Sequence, residues 1–308
     1  MSATSSPVRM RWRAPAKINP FLAVLGRRAD GYHELVTSLL ALDWCDELEL
    51  GRSGEGPARL ELCGPAVSPD IPSDARNLAL RAALQACGDG GAGLQLKLYK
   101  SVPAQAGLGG GSSDAAAALL AADELCARRL SAEQRASALA SLGSDCSFFA
   151  LAPSGHALCR GRGERVEPLP AVAPGWVIPV LVPVAGSPTA AVYAALATSL
   201  RSSPQAPSVP RELFDLDLHS ARERLRNDLE PAALRAVPAL ARVRAVLDEH
   251  GAAHWRLCGS GSAFFGIYRD PARAAAELDE LRAAIDARAG GVRCARLCRP
   301  LGRGAHAA

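Results

Sequence analysis

The spacing of apolar positions predicts mainly strands in the first third of the chain. Residues 93–99 alternate cleanly, with Leu94, Leu96 and Leu98 on one face, which is typical of a half-buried strand. Other apolar runs predict further strands at Arg11–Leu25, Leu35–Leu42, Leu48–Leu50 and Leu60–Leu62. Helical spacing begins at Asn77, and continues in two segments, Ser112–Arg128 and Ser131–Leu142.

A second region begins after a segment rich in Gly and Pro at residues 161–175, and we place a domain boundary near Ala171. Strands and helices alternate beyond it, which predicts a small α/β sandwich. The predicted elements are a strand from Trp176, a helix from Thr189, a loop at Ser202–Pro210, helices at Pro231–His250 and Pro271–Ala289, and strands at His254–Leu257, Ala263–Tyr268 and Val292–Leu297. The predicted domains are therefore 1–171 and 172–300, followed by a disordered tail at 301–308.

Composition excludes several classes of protein. The 308 residues are 49% hydrophobic and 21% charged, as in ordinary globular proteins. The first ten residues have no apolar core typical of a secretory signal, and the apolar run Trp176–Val184 is too short for a membrane span. We therefore expect a cytoplasmic protein whose nine cysteines are reduced thiols. Cys294 and Cys298 have no His or second Cys pair at ligand spacing, so we predict no zinc site.

The distribution of charge disfavours nucleic acid as a partner. The formal net charge is only +4 and the arginines are dispersed. Among 35 basic residues only three are lysines, Lys17, Lys97 and Lys100. A lysine retained in so arginine-rich a chain favours a need for a compact ammonium group at that position.

A cluster of glycines stands between a predicted strand and a predicted helix, at Gly107 and Gly109–Gly111. Glycine loses the most backbone entropy on folding, so such a cluster needs a reason. Backbone N–H groups at a helix start can approach an anion closely. The P-loop pattern fails because no Lys follows the glycines, and the dinucleotide and protein-kinase patterns fail at Ser112. The context predicts a phosphate site of another kind.

Four segments resemble the motifs of the GHMP kinases, in the expected order along the chain. Residues 103–119, PAQAGLGGGSSDAAAAL, resemble the central phosphate loop of that superfamily. Residues 142–149, LGSDCSFF, resemble the block that carries a catalytic aspartate, and residues 257–265, LCGSGSAFF, resemble the third motif. Residues 15–35, PAKINPFLAVLGRRADGYHEL, resemble the first motif of one member, which acts on a cytidine diphosphate conjugate of methylerythritol.

This resemblance implies a two-domain α+β fold. An N-terminal ATP-binding α/β domain and a C-terminal ferredoxin-like α/β sandwich would hold the active site between them. The implied reaction is ATP-dependent phosphorylation of the 2-hydroxyl of the methylerythritol conjugate, in the non-mevalonate route to isoprenoid precursors. ATP and Mg²⁺ are the implied cofactors, and the implied partner is the small-molecule substrate, with no nucleic acid and no membrane. The chain is expected to be a monomer or a weak homodimer.

The resemblance also implies roles for individual residues. Lys17 and Asp145 would be catalytic, with Asp145 accepting the proton of the attacking hydroxyl and Lys17 contacting the γ-phosphate. The implied ATP-binding residues are Pro103, Ala104, Gln105, Ala106, Gly107, Leu108, Gly109, Gly110, Gly111, Ser112, Ser113 and Asn77. The implied substrate-binding residues are Asn19, Tyr32, His33, Thr189, Tyr193, Gly259, Ser260 and Gly261. No residue is assigned as the Mg²⁺ ligand, and Asp114 has no role.

Several alternatives stay open at this point. Asn77 fits a helix N-cap as well as a place near adenine, and Tyr193 alone would fit ordinary core packing. Kinases of homoserine or mevalonate share the glycine loop but do not need the turn at residues 29–33. A catalytically silent nucleotide-binding regulator is a further possibility, against which the retention of Lys17 and Asp145 argues.

Overall fold

The computed structural model describes residues 9–54, 56–197 and 208–308, so that most of the loop predicted at 202–210 lies outside the described residues. The strands are β1 Arg9–Arg27, β2 His33–Arg52, β3 Arg59–Cys63, β4 Leu94–Tyr99, β5 His156–Gly161, β6 Arg165–Pro168, β7 Ile178–Pro183, β8 Arg226–Asn227, β9 Arg256–Leu257, β10 Phe264–Phe265, β11 Val292–Cys298 and β12 His306–Ala307. The helices are α1 Leu78–Cys87, α2 Gly110–Leu125, α3 Ala132–Leu142, α4 Cys146–Leu151, α5 Thr189–Ala197, α6 Leu218–Glu223, α7 Glu230–Ala236, α8 Pro238–Glu249 and α9 Pro271–Arg288.

A long antiparallel hairpin of β1 and β2 organises the first domain. Residues 35–42 and 48–50, predicted as separate strands, lie in one continuous strand because β2 pairs with β5 along its first half and with β4 along its second. The resulting eight-stranded sheet has the order β12-β1-β2-β4-β3, with β5, β6 and β8 attached at its side. Helix α2 is rich in buried alanines, and these small side chains let it pack closely against α1 and the sheet.

The second domain is a four-stranded antiparallel sheet of order β11-β7-β10-β9 with helices packed against it. The predicted α+β class is confirmed. The helix predicted at Pro231–His250 is instead two helices, α7 and α8, because Pro238 has no N–H to donate and restricts Val237 before it. The chain passes from the first sheet to the second between Pro168 and Ile178. However, β8, which comes after residue 171, pairs with β1 of the first sheet. The domain boundary at 171 stays a prediction.

Two expectations were wrong. The tail at 301–308 is not disordered, because His306 and Ala307 pair with Arg13 and Trp12 of β1. Cys87 and Cys126 form a disulfide between the C-terminal ends of α1 and α2, whereas the other seven cysteines are free thiols. Both features depend on chain segments that meet only in the folded protein.

Within the described part of the chain, no helix combines the length and the apolar character that a membrane span needs.

Candidate active site

Three cavities adjoin one another, one within the first domain and two that are lined by residues of both domains. The first, of about 360 Å³, lies between the start of α1 and residues 103–112, and we call it the loop cavity. The second, of about 320 Å³, contains Lys17 and Asp145 and is called the central cavity. The third, of about 480 Å³, lies beside the β1–β2 turn and is called the turn cavity. The central cavity shares wall residues with both of the others, so the three lie side by side, and we refer to them together as the cleft.

The glycine loop forms one wall of the loop cavity and ends at the start of α2. Gly107 and Gly109 both have φ of +74°, where a side chain is strained. A Cβ on Gly107 would lie 2.1 Å from the carbonyl oxygen of Cys258, and one on Gly109 would lie 2.9 Å from Cγ of Lys17. These glycines therefore bring the loop against the motif that contains Cys258 and the motif that contains Lys17. The first N–H groups of α2 have no acceptor within the helix, which makes its start an anion site.

The structure brings most, but not all, of the predicted ATP-binding residues to the loop cavity. Its wall includes Asn77, Pro103, Ala104, Gln105, Ala106, Gly107, Leu108, Gly109, Gly110, Gly111 and Ser112. Ser113 is not part of this wall, since it is buried and its N–H already donates to the carbonyl of Gly109. Asn77 caps α1 by accepting from the N–H of Ala79 and donates to the carbonyl of Pro72. Its polar atoms are thus engaged in holding the cavity wall.

A buried charge cluster supports the base of the loop cavity. The Lys100 ammonium contacts both Asp46 and Asp114, and all three side chains are almost fully buried. Asp46 also accepts backbone N–H groups from Ser101 and Val102, so it ties β2 to the segment before the glycine loop. Asp114 is thus paired with Lys100 beside the first residue of α2, since a Cβ on Gly110 would lie 3.4 Å from Lys100 Nζ. Burial, and the nearby Asp46 carboxylate, raise the pKa of Asp114 to about 8 because one lysine cannot neutralise two buried acids.

The predicted catalytic residues lie together in the central cavity. Lys17 Nζ is 3.3 Å from Asp145 Oδ2 and donates a hydrogen bond of 2.7 Å to Asn19 Oδ1. The Asn19 amide in turn donates to Thr37, which fixes its orientation. Burial is the largest single effect and lowers the pKa of Lys17. The charge and hydrogen bond of Asp145, together with Cys258 and Cys159, outweigh it, so that the net pKa is raised and the group stays charged. Asp145 directly precedes α4 but does not cap it, which leaves its carboxylate free for Lys17 and the cavity.

The third motif closes the central cavity from the second domain. Gly259 and Ser260 lie in its wall, and a Cβ on Gly259 would be 3.4 Å from Lys17 Nζ. Gly261 does not reach the wall and lies against the side chains of Leu257 and Ser187. Asn227 donates to the carbonyls of Leu257 and Gly259, which holds this loop in place.

Three aromatic rings surround the turn cavity. His33 and Tyr193 have ring centroids 5.0 Å apart, and Tyr32 is 55% exposed at the rim. Thr189, the first residue of α5, lines both this cavity and the central one and lies 2.9 Å from the hydroxyl of Ser260. Burial, with a smaller effect of the charge on Arg27, lowers the pKa of His33. Nε2 of His33 is buried without a hydrogen-bond partner, so it is available to a ligand in the cavity.

Some site residues escaped the sequence analysis. Asp46 lies in β2 between the two strand segments that were predicted, and Asn227 lies in β8, which was not predicted. Arg162, which lines both the turn and the central cavity, lies in a Gly-Arg-Gly segment whose composition by itself indicates only the approach to a domain boundary. An arginine flanked by two glycines was the signal that could have identified it.

Comparison with known proteins agrees with this architecture. The GHMP kinase N-terminal domain model matches residues 77–152, and the GHMP kinase C-terminal model matches residues 211–287. A homoserine kinase structure from Cytophaga hutchinsonii superposes with a TM-score of 0.72 over 100% of both chains, but at 17% identity it shows the fold alone.

Other relatives are similar in sequence as well. The 4-diphosphocytidyl-2-C-methyl-D-erythritol kinase of Citrifermentans bemidjiense is 37% identical, over 87% of this chain and 94% of its own. The kinase of the same name from Moorella thermoacetica is 39% identical, over 83% and 89%. A solved structure of a 4-(cytidine 5'-diphospho)-2C-methyl-D-erythritol kinase is 35% identical with a TM-score of 0.69, covering 94% of this chain and 99% of its own. With such identity over nearly its whole length, the chain belongs to the 4-diphosphocytidyl-2-C-methyl-D-erythritol kinases of the GHMP superfamily.

Proposed function

We propose that this protein transfers the γ-phosphoryl group of ATP to the 2-hydroxyl of 4-diphosphocytidyl-2-C-methyl-D-erythritol. The products are the 2-phosphate and ADP, and the step belongs to the non-mevalonate route to isoprenoid precursors. The observation that carries the proposal is the Lys17–Asp145 pair in a cavity that opens to a glycine loop on one side and to an aromatic cavity on the other. ATP as donor agrees with the cytoplasmic location expected from the sequence.

The glycine loop is suited to hold the triphosphate. Phosphoryl transfer depends mainly on positioning and on stabilising the charge of the transferred group. Free N–H groups at the start of α2 point to this role, since a helix N-terminus carries a partial positive charge. The adenosine would occupy the loop cavity beside Asn77 and Leu78, leaving the γ-phosphate at the boundary with the central cavity.

Lys17 and Asp145 would then act on the two reacting groups. Asp145 accepts the proton of the 2-hydroxyl while the oxygen of that hydroxyl forms a bond to the γ-phosphorus. The bond between the γ-phosphorus and the β–γ bridging oxygen breaks, and ADP is released. The Lys17 ammonium stabilises charge on the γ-phosphate. Asn19 holds Lys17 by accepting its hydrogen bond, so that the ammonium keeps its place between carboxylate and phosphate.

The residues present fit Mg²⁺ as the cofactor, since this ion prefers oxygen ligands and keeps substrate phosphates among them. Ser112 brings a hydroxyl to the wall of both the loop and the central cavities, and Asp114 Oδ1, in a residue of the loop-cavity wall, has no hydrogen-bond partner. These two oxygens would hold the ion. Held there, the ion would supply positive charge to neutralise the β- and γ-phosphates.

The test is a panel of acceptors. We would incubate the purified protein with ATP, Mg²⁺ and, separately, the cytidine conjugate, homoserine and mevalonate, and would measure ADP. We expect ADP with the cytidine conjugate alone. ADP formation with homoserine or mevalonate, and none with the cytidine conjugate, would overturn the proposal.

A further inference from the structure

The boundary between the central and turn cavities is formed by five residues that line both. They are Leu35, Ser144, Arg162, Thr189 and Tyr193. A substrate with its base in the turn cavity and its hydroxyl at Asp145 must cross this boundary. Arg162 is the single cationic side chain among the five.

The turn between β5 and β6 holds Arg162 close to the reacting groups. Gly163, the next residue, packs against Ser144 and Asp145, so that a Cβ placed on it would lie 3.6 Å from Asp145 Oδ1. The Glu164 carboxylate accepts the backbone N–H of Arg162 at 2.6 Å, which fixes the turn. The position of Arg162 is therefore set by its backbone rather than by its own side chain.

The guanidinium of Arg162 has no carboxylate at ion-pair distance within residues 9–54, 56–197 and 208–308, although its charge helps to lower the pKa of the nearby Asp30. The guanidinium contacts the ring of Tyr32, whose centroid is 4.7 Å from the guanidinium carbon. Two other arginines near the β1–β2 turn, Arg28 and Arg165, both pair with Glu34. Arg27, which also lines the turn cavity, donates to the backbone carbonyl of Gly31 but does not lie on the boundary with the central cavity. The charge of Arg162 is thus available to an anion in the cleft.

We propose that Arg162 binds the diphosphate that joins the cytidine and methylerythritol parts of the substrate. The inference rests on the proposed function, which places a base and a hydroxyl at the two ends of the cleft. A planar guanidinium suits bidentate hydrogen bonds to phosphate oxygens. The hydroxyls of Ser144 and Thr189 lie on the same boundary and can donate to the same group. By fixing the diphosphate, Arg162 sets how far the acceptor hydroxyl reaches towards Asp145.

The experiment compares CDP with cytidine, since the two differ only in the diphosphate. Both are titrated calorimetrically into the wild type and Arg162→Met, with a saturating non-hydrolysable ATP analogue that keeps the loop cavity filled. We expect wild type to bind CDP more tightly than cytidine. In Arg162→Met, CDP should bind roughly tenfold or more weakly, as for the loss of a charged hydrogen bond, while cytidine changes by less than about threefold.

Arg160→Met is the matched control. Arg160 is exposed on the same hairpin two residues away, lines none of the cavities described above, and its replacement removes the same charge. It should keep the wild-type preference for CDP. The CDP affinity of Arg162→Lys should fall between those of wild type and Arg162→Met.

Turnover assays give a second measurement. In them, Arg162→Met should raise KM for the cytidine substrate by a larger factor than it lowers kcat and should leave KM for ATP unchanged.

Two results would overturn the inference. Equal weakening of CDP and cytidine in Arg162→Met would show that the arginine acts through the Tyr32 ring or the fold, and unchanged CDP binding would show that it does not contact the diphosphate. Failure of the proposed function is recognised separately, because the wild type would then bind neither compound.

Discussion

Lys17 and Asp145 form an ion pair in which the ammonium is buried and the carboxylate is partly exposed. The side chains are 4% and 31% accessible, with 3.3 Å between Nζ and Oδ2. Lys17 is anchored by Asn19, whereas Asp145 faces the central cavity. Such an arrangement suits a carboxylate that must meet a substrate while its counter-charge stays in place.

Replacing Asp145 with Asn should abolish most turnover and spare nucleotide binding. The change keeps the shape of the side chain but removes the proton acceptor, whose help is worth roughly 10²–10⁴-fold in rate. We expect kcat to fall within that range and the Kd for ATP to stay within about threefold. Asp279→Asn, on the exposed face of α9, is the control and should match wild type. A variant at Asp145 with nearly full kcat would exclude this residue as the base.

The same substitution, Lys→Met, can be compared at different lysines of this chain. Lys17→Met removes the buried ammonium from Asn19 and Asp145, and loss of one donor to the transition state costs roughly 10²–10³-fold in kcat. Lys97 is exposed and pairs with Glu61, so that Lys97→Met should change neither kcat nor melting temperature appreciably. Similar kcat values for the two variants would contradict the role of Lys17.

Lys100→Met should act on stability rather than directly on the reaction. It leaves Asp46 and Asp114 buried without a counter-charge, and breaking a buried pair in this way costs roughly 3–5 kcal/mol. Urea unfolding would measure the loss. Adding Asp114→Asn should restore part of it, because the buried side chain then no longer has to take up a proton beside the Asp46 carboxylate. If the double variant is no more stable than Lys100→Met, the cluster does not stabilise the fold through its charge balance.

Gly111→Ala separates phosphate binding from ordinary loop geometry. A Cβ there meets only Leu78 Cδ1, at 4.0 Å, so the protein itself accommodates it. Alanine also favours a helix by up to ~1 kcal/mol over glycine. We expect a raised melting temperature together with weaker ATP binding in a calorimetric titration, because the methyl group stands where phosphate approaches. Unchanged ATP affinity would place the phosphates elsewhere.

Gly109→Ala should behave differently and serves as the comparison. Its positive φ and the approach of a Cβ to Lys17 make the variant strained without any ligand. We therefore expect a lower melting temperature as well as weaker ATP binding. A stable Gly109→Ala variant would contradict the close packing of the loop against Lys17.

His33 should make folding less favourable in mild acid. Its folded pKa is lowered by burial and by Arg27, so the unfolded chain binds the proton more readily. Stability is therefore lost as pH falls through the ordinary histidine pKa of about 6.5. His156, His254 and His306 are shifted in the same direction, so the measurement is the difference between wild type and His33→Gln. Between pH 8 and pH 5, the melting temperature of wild type should fall further than that of His33→Gln. Parallel curves of melting temperature against pH for the two proteins would contradict this.

The sequence by itself determined the features that depend on neighbouring residues. Alternation over residues 94–98 predicted β4, and the glycines before an alanine-rich run predicted the loop and start of α2. The scarcity of lysine marked Lys17 and Lys100, both of which are buried among carboxylates, although it marked the exposed Lys97 equally. Local patterns carry such information because helix and strand periods repeat within a few residues.

Only the tertiary structure decided which distant residues meet. Asp46 joins Lys100 and Asp114 across 54 and 68 positions of sequence, and Arg162 reaches the cleft from a hairpin that gave no catalytic signal. The pairing of β12 with β1 and the Cys87–Cys126 disulfide likewise join segments far apart in the chain. Periodicity in one segment does not encode its partner, since strand pairing and buried charge contacts are chosen by the packing of the whole core.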